Sequence, residues 1–167
     1  MALRNSIRSV LLVIMATIIL SACATKTTKK VGDTKAKVSQ ISGDTYAGDE
    51  TVKYLATGVP DRVFFATNKS ILTTASRDTL RKQAAWLREN KNINVTVEGH
   101  CDERGTREYN LALGERRANA AKDYLMTYGI SGNRIATISY GKERPVNSGS
   151  GPLAWSQNRR SVTVKAN

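Results

Sequence analysis

The chain has 167 residues and is 40% hydrophobic, enough for one ordinary domain with a short appendage and too little for two full domains. Lys and Arg number 26 against 14 Asp and Glu, a net charge of +12 that favours anionic partners without specifying one. One histidine, His100, and two cysteines, Cys23 and Cys101, are too few for a zinc site of four Cys or His ligands or for a disulfide framework, and no metal or cofactor is expected.

Arg4 and Arg8 form a positive start, residues 10–20 are apolar except for Thr17, and Leu20-Ser21-Ala22-Cys23 follows. This pattern reads as a secretory signal over residues 1–22. The apolar run is well short of the roughly 20 residues that cross a bilayer as a helix, so it is the core of a cleaved peptide and not an anchor. Small residues before a cysteine resemble the bacterial lipobox, in which the cysteine is acylated and becomes the first residue of the mature chain. Lipidation is therefore expected at Cys23, since several acyl chains meet the requirement for stable anchoring without crossing. In the bacterial lipoprotein pattern an Asp after that cysteine commonly retains the protein at the inner membrane. Ala24 stands there instead, which implies a lipid anchor in the outer membrane with the domain facing the periplasm.

Residues 23–58 carry Lys, Thr, Ser, Gly and Asp with no period that would bury a face, the composition of a flexible tether. The globular part then spans 59–167. Residues 62–65 look like a short strand, and Leu80, Ala84 and Leu87 fall at helical spacing over residues 75–90 behind threonine caps. Ile93, Val95 and Val97 alternate with polar residues as in a half-buried strand that ends at Gly99. Leu113, Ala120, Ala121, Tyr124, Leu125 and Tyr128 mark a second helix closed by Gly129. Strands over 134–140 and 161–165 complete the order β-α-β-α-β-β, with residues 145–157 read as a loop. An α+β fold follows: a two-layer sandwich with helices packed on a mixed four-stranded sheet.

Chemistry has one obvious place in this order. The segment Gly99-His100-Cys101-Asp102-Glu103-Arg104-Gly105 joins a strand end to the second helix, which carries Arg116 and Arg117. A loop carboxylate can take an ammonium and a helical guanidinium can hold a carboxylate by two parallel bonds, so the pattern suits a zwitterion. The plainer alternative is that Asp102 and Arg117 pair with each other or with neighbours across the loop.

Val63-Phe64-Phe65, the run from Val97 through Thr106, Glu108-Tyr109-Asn110-Leu111, the run from Leu113 through Ala120, Ser139-Tyr140-Gly141-Lys142-Glu143-Arg144-Pro145 and Asn158-Arg159-Arg160 together resemble the OmpA-like peptidoglycan-binding domain. The resemblance covers 59–167 nearly without gaps. It implies that Asp102 and Arg117 hold the two ends of a meso-diaminopimelate side chain in the stem peptide of peptidoglycan. Asn110, Leu113 and the Phe65, Ala66, Thr67 and Asn68 loop would complete the pocket. Two departures stand out: related chains often carry an acidic residue where this one has Asn68, and Ala or Thr where it has Cys101. Lipid-anchored members of the family engage TolB and the wider Tol system, which implies a link between outer membrane and wall, with roles in envelope integrity and cell division.

Two other classes are weighed against this reading. A wall hydrolase would need a carboxylate pair from Glu98, Asp102, Glu103 and Glu108, and no spacing among them defines one. A Cys101–His100 nucleophile is weaker, because adjacent residues at a strand end point in opposite directions. Nucleic-acid binding suits the charge, yet an exported chain without an aromatic and basic platform is not expected to meet it.

Overall fold

The structure is a computed structural model in which residues 51–166 are described. The expected signal segment, Cys23 and residues 24–50 of the expected tether lie outside the described residues. A small hairpin of β1 (Tyr54–Ala56) and β2 (Val59–Pro60) opens the described part. There follow β3 (Arg62–Phe64), α1 (Thr74–Glu89), β4 (Val95–His100), α2 (Arg107–Thr127), a 3₁₀ turn over Gly132–Arg134, β5 (Ile135–Gly141), α3 (Pro152–Asn158) and β6 (Arg160–Lys165).

Four strands form one mixed sheet in the order β3-β6-β4-β5. The neighbours β4 and β5 are parallel, while β6 runs antiparallel to both β3 and β4. The α+β sandwich is as the sequence predicts. Two elements are not. The hairpin begins at Tyr54, inside the segment read as tether, and Leu55 is buried there because it is the single apolar side chain that β1 turns inward. The stretch read as a loop contains α3, a helix of 7 residues opened by Pro152 at its first turn. Its sequence has too few turns to show a period, but its end is firmly held, since Gln157 and Asn158 are buried and Asn158 Oδ1 accepts from the backbone N–H groups of Val146 and Asn147. The observed order is therefore β-α-β-α-β-α-β after the hairpin.

The helices start where their chemistry directs. Thr73 caps α1 by accepting from Ser76 N at 3.1 Å, and Ser76 Oγ in turn donates to Phe64 O. Thr106 caps α2 by accepting from Tyr109 N at 3.2 Å, with Glu108 in the first turn facing the positive end of the helix dipole. Gly129, at φ 82°, takes the left-handed conformation past the end of α2 that a side chain would resist. Val63, Phe65, Leu80, Ala84, Leu87, Val95, Val97, Ala118, Ala121, Leu125, Ile130 and Ile135 form the core between α1, α2 and the sheet.

The layers meet most closely where two glycines face each other. A Cβ on Gly99 would lie 1.8 Å from Gly114 O, and one on Gly114 would lie 2.3 Å from Ser139 Oγ, so α2 rests on the backbone of β4 and on the Ser139 side chain of β5. Ser139 Oγ donates to Leu111 O at 2.7 Å beside this contact. That approach fixes the start of α2 against the end of β4. Gly99→Ala should therefore force the helix off the sheet and cost about 3 kcal/mol; urea unfolding of the two chains checks this, with Gly58→Ala, whose Cβ would meet nothing within 4 Å, as the comparison for backbone strain alone.

Candidate functional site

The site is assembled from four segments: the turn after β3, the loop between β4 and α2, α2 itself, and the residue that joins α3 to β6. In the first, Lys69 N donates to Ala66 O at 3.2 Å and Asn68 sits at φ 54°, a left-handed position that asparagine tolerates better than most side chains. This gives a backbone reason for the amide at that departure. Phe65 is fully buried in the core, Ala66 and Thr67 are half-buried, and Asn68 is exposed.

Asp102 is 7% exposed and its carboxylate is already bonded. Oδ1 accepts from Arg104 N and Nε, both at 3.1 Å, while Oδ2 accepts from Arg104 Nη2 at 2.7 Å and Arg159 Nη1 at 3.4 Å. Burial pushes its pKa upward, but the Arg104 and Arg159 hydrogen bonds outweigh that and hold it below the usual carboxylate value. Asp102 is ionised at neutral pH.

Arg117 departs from expectation. The resemblance implies that its guanidinium holds a ligand carboxylate by two parallel bonds, whereas the side chain is 0% exposed. Nε donates to Lys69 O at 2.9 Å, Nη1 to His100 O at 2.8 Å and Cys101 Sγ at 3.3 Å, and Nη2 to Ala66 O at 3.2 Å. A guanidinium has five N–H donors, and these four contacts leave one for a ligand, so the two-bond grip predicted for a carboxylate is not available without rearrangement. Arg117 belongs to the buried stripe Asn110, Leu113, Gly114, Arg117, Ala118, Ala121 and Leu125. That period is visible in the sequence and signals the burial.

The other expected residues gather around this pair. Asn110 is 2% exposed; its Nδ2 donates to Arg104 O at 2.8 Å and Thr106 O at 2.9 Å, which folds the loop back onto the helix. Cys101 Sγ donates to Asn110 O at 3.3 Å, and burial pushes the thiol pKa up, so it is a packing residue and a poor nucleophile. Leu113 is buried beneath. Two residues without an assigned role also belong here. Arg159, 2% exposed, donates from Nε to Phe65 O at 3.1 Å and reaches Asp102, and Arg104 lies with its guanidinium carbon 4.2 Å from the centre of the Trp155 ring. The Asn158-Arg159-Arg160 run at the edge of β6 is the sequence signal for the first, and the loop from Gly99 to Gly105 contains the second.

His100 points the other way, as alternation along β4 requires. It is 2% exposed on the opposite face of the sheet, with Nε2 3.4 Å from Glu98 Oε2 and its ring 5.5 Å from that of Tyr140. Burial, then the charges of Arg160, Arg62 and Arg144, lower its pKa to about 3. The unfolded chain takes up this proton near pH 6.5 and the folded one resists it, so the stability is complete above pH 6.5 and declines as pH falls toward 3. Between pH 6.5 and 5 the loss should be about 2 kcal/mol, measured by urea unfolding at both values, and His100→Gln should remove that part of the dependence.

With the geometry in view, the comparisons with known proteins are specific. A family model described as the OmpA family matches residues 64–159. The peptidoglycan-associated lipoprotein of Rhizobium meliloti (strain 1021) is 44% identical over 155 residues, covering 93% of this chain and 86% of that one. The peptidoglycan-associated lipoprotein of Brucella melitensis biotype 1 is 54% identical over 106 residues, covering 64% and 63% of the two chains. The crystal structure of the peptidoglycan-associated lipoprotein from Burkholderia pseudomallei superposes with a TM-score of 0.62 at 34% identity, over 64% of this chain and 90% of that one. The residues matched by the family model run from the end of β3 to Arg159 and so contain the loop carboxylate, the buried arginine and the turn that surrounds them: the chain belongs to the OmpA family.

Proposed function

We propose that this chain binds peptidoglycan without covalent chemistry, taking the diaminopimelate end of a stem peptide between the loop after β4 and the turn after β3. The observation that carries the reading is the ionised Asp102 directly after His100 and Cys101, the two residues that the buried Arg117 bonds, which sets one negative and one positive group at the same loop for the two charges of a zwitterionic carbon. Asn110 and Leu113 form its floor and Ala66, Thr67 and Asn68 its wall, with Phe65 buried in the core behind them. The names of the relatives agree with a wall ligand and a lipid anchor. The chain would thus hold the outer membrane to the wall from acylated Cys23, with TolB and the Tol system as protein partners.

The electrostatics favour binding over hydrolysis. Asp102 is held ionised by Arg104 and Arg159, and Glu103 is drawn down by hydrogen bonds from Trp155 Nε1 and Ser150 Oγ, so neither keeps the proton that a general acid donates. Glu98, whose pKa burial raises, is on the far face with His100. The basic surplus needs no nucleic acid to explain it, since an anionic wall and lipid surface attract the same charge.

Two measurements test this reading. Calorimetric titration of the full chain in detergent with a tripeptide ending in meso-diaminopimelate should show binding that Asp102→Asn weakens roughly thirtyfold or more, because the ligand ammonium loses its counter-charge. A tripeptide ending in lysine should also bind weakly to the unaltered chain; this comparison spares Arg117, whose removal would leave buried carbonyls unpaired and destabilise the fold. Equal affinity for both peptides would refute the assignment. Separately, Cys23→Ser should release the chain from the membrane fraction with its first 22 residues still attached; persistence with the outer membrane would refute lipidation.

A further inference from the structure

Three guanidinium groups surround one carboxylate at the site. Arg104 and Arg159 bond Asp102 directly, and Arg117 holds the backbone of His100 and the thiol of Cys101 next to it. An ammonium entering this cluster meets a carboxylate whose oxygens are already taken by Arg104 and Arg159, while the charge of Glu103 also acts on Arg104. The entry is unfavourable unless one guanidinium leaves. Burial decides which. Arg117 and Arg159 are 0% and 2% exposed and are bonded to backbone carbonyls of the turn after β3, so neither can move without opening the fold. The Arg104 side chain is 42% exposed.

Arg104 also has somewhere to go. Its guanidinium carbon already lies 4.2 Å from the Trp155 ring centre, and Trp155 is held in place by its own Nε1 donating to Glu103 Oε1 at 2.7 Å. Arg104 Nη2 is in addition 3.4 Å from Thr67 Oγ1, so the side chain bridges the two walls of the pocket while it occupies the carboxylate. A rotation that leaves Asp102 and Thr67 while staying over the ring would free the carboxylate without giving up the aromatic contact.

Building on the peptidoglycan reading above, we propose that Arg104 is a built-in competitor for the ligand's ammonium group: it occupies Asp102 in the free chain and yields that place as an α-amino-acid end enters, so it sets the affinity of the site and its response to the ammonium. A ligand end that lacks the ammonium cannot replace Arg104 at Asp102, and the carboxylate then stays closed.

The test is calorimetric titration of the full chain in detergent with two tripeptides, one ending in meso-diaminopimelate and one ending in 2-aminopimelate, which keeps the side-chain carboxylate and lacks the ammonium. Removing the competitor in Arg104→Gln should raise affinity for the first peptide about three- to tenfold, the scale of a partly exposed ion pair, and leave the second no tighter. Arg104→Met, of similar length, should repeat the result, with circular dichroism confirming the fold of each. Unchanged or weaker binding of the diaminopimelate peptide in either folded variant, or an equal gain for both peptides, would overturn the proposal. Asp102→Asn separates this from the reading beneath it: if that variant binds diaminopimelate as the unaltered chain does, or the unaltered chain binds neither peptide, the peptidoglycan site itself is wrong and the proposal falls with it.

Discussion

A guanidinium taken wholly out of water must find acceptors for its donors or destabilise the fold, and Arg117 finds them in the backbone of two separate loops. The carbonyls of Ala66 and Lys69 come from the turn after β3, and that of His100 from the end of β4. Both loops are therefore shaped around the side chain. Burial lowers the Arg117 pKa from its usual value, but three carbonyls and a thiol still receive its protons. One buried charge thus serves as the brace that holds the two loops at a fixed separation. Arg159 repeats the device from the other side, tying Phe65 O to Asp102.

This double use explains which parts of the molecule could be read from sequence. Val95 and Val97 alternate with polar residues, Leu80, Ala84 and Leu87 repeat at helical spacing, and those periods arise because each element buries one face. Segments that bury little leave no such trace. The hairpin at Tyr54–Ala56 turns a single leucine inward, and Pro152–Asn158 is held by polar bonds from Asn158 more than by an apolar stripe. The two carboxyl and guanidinium positions were legible through the resemblance, but their state was not. Motifs record residue types, while the fact that Asp102 is already occupied by Arg104 depends on a side-chain rotation three-dimensional packing decides.

The two faces of the sheet divide the chemistry cleanly. Toward α2, β4 presents Val97 and Gly99, followed by Cys101 just past its end; away from it, Glu98 and His100 meet Arg62, Arg144 and Arg160. The histidine and cysteine that stand side by side in the sequence consequently never share an environment. One is neutral because burial and neighbouring arginines repel its proton, and the other keeps its proton because burial disfavours the thiolate. The single-residue alternation of a strand separates what a linear motif places together.

The strand order carries a consequence for biogenesis. β6 is the latest of the described strands to be synthesised, yet it lies between β3 and β4 and pairs with both. Until it arrives, the sheet is two unjoined pieces, and Arg159, immediately before it, has not yet met Phe65 or Asp102. Long-range closure of this kind delays cooperative folding until nearly the whole domain is made. The order of strands thus ties the closing of the sheet, and with it the contacts of Arg159, to the last stretch of the described chain.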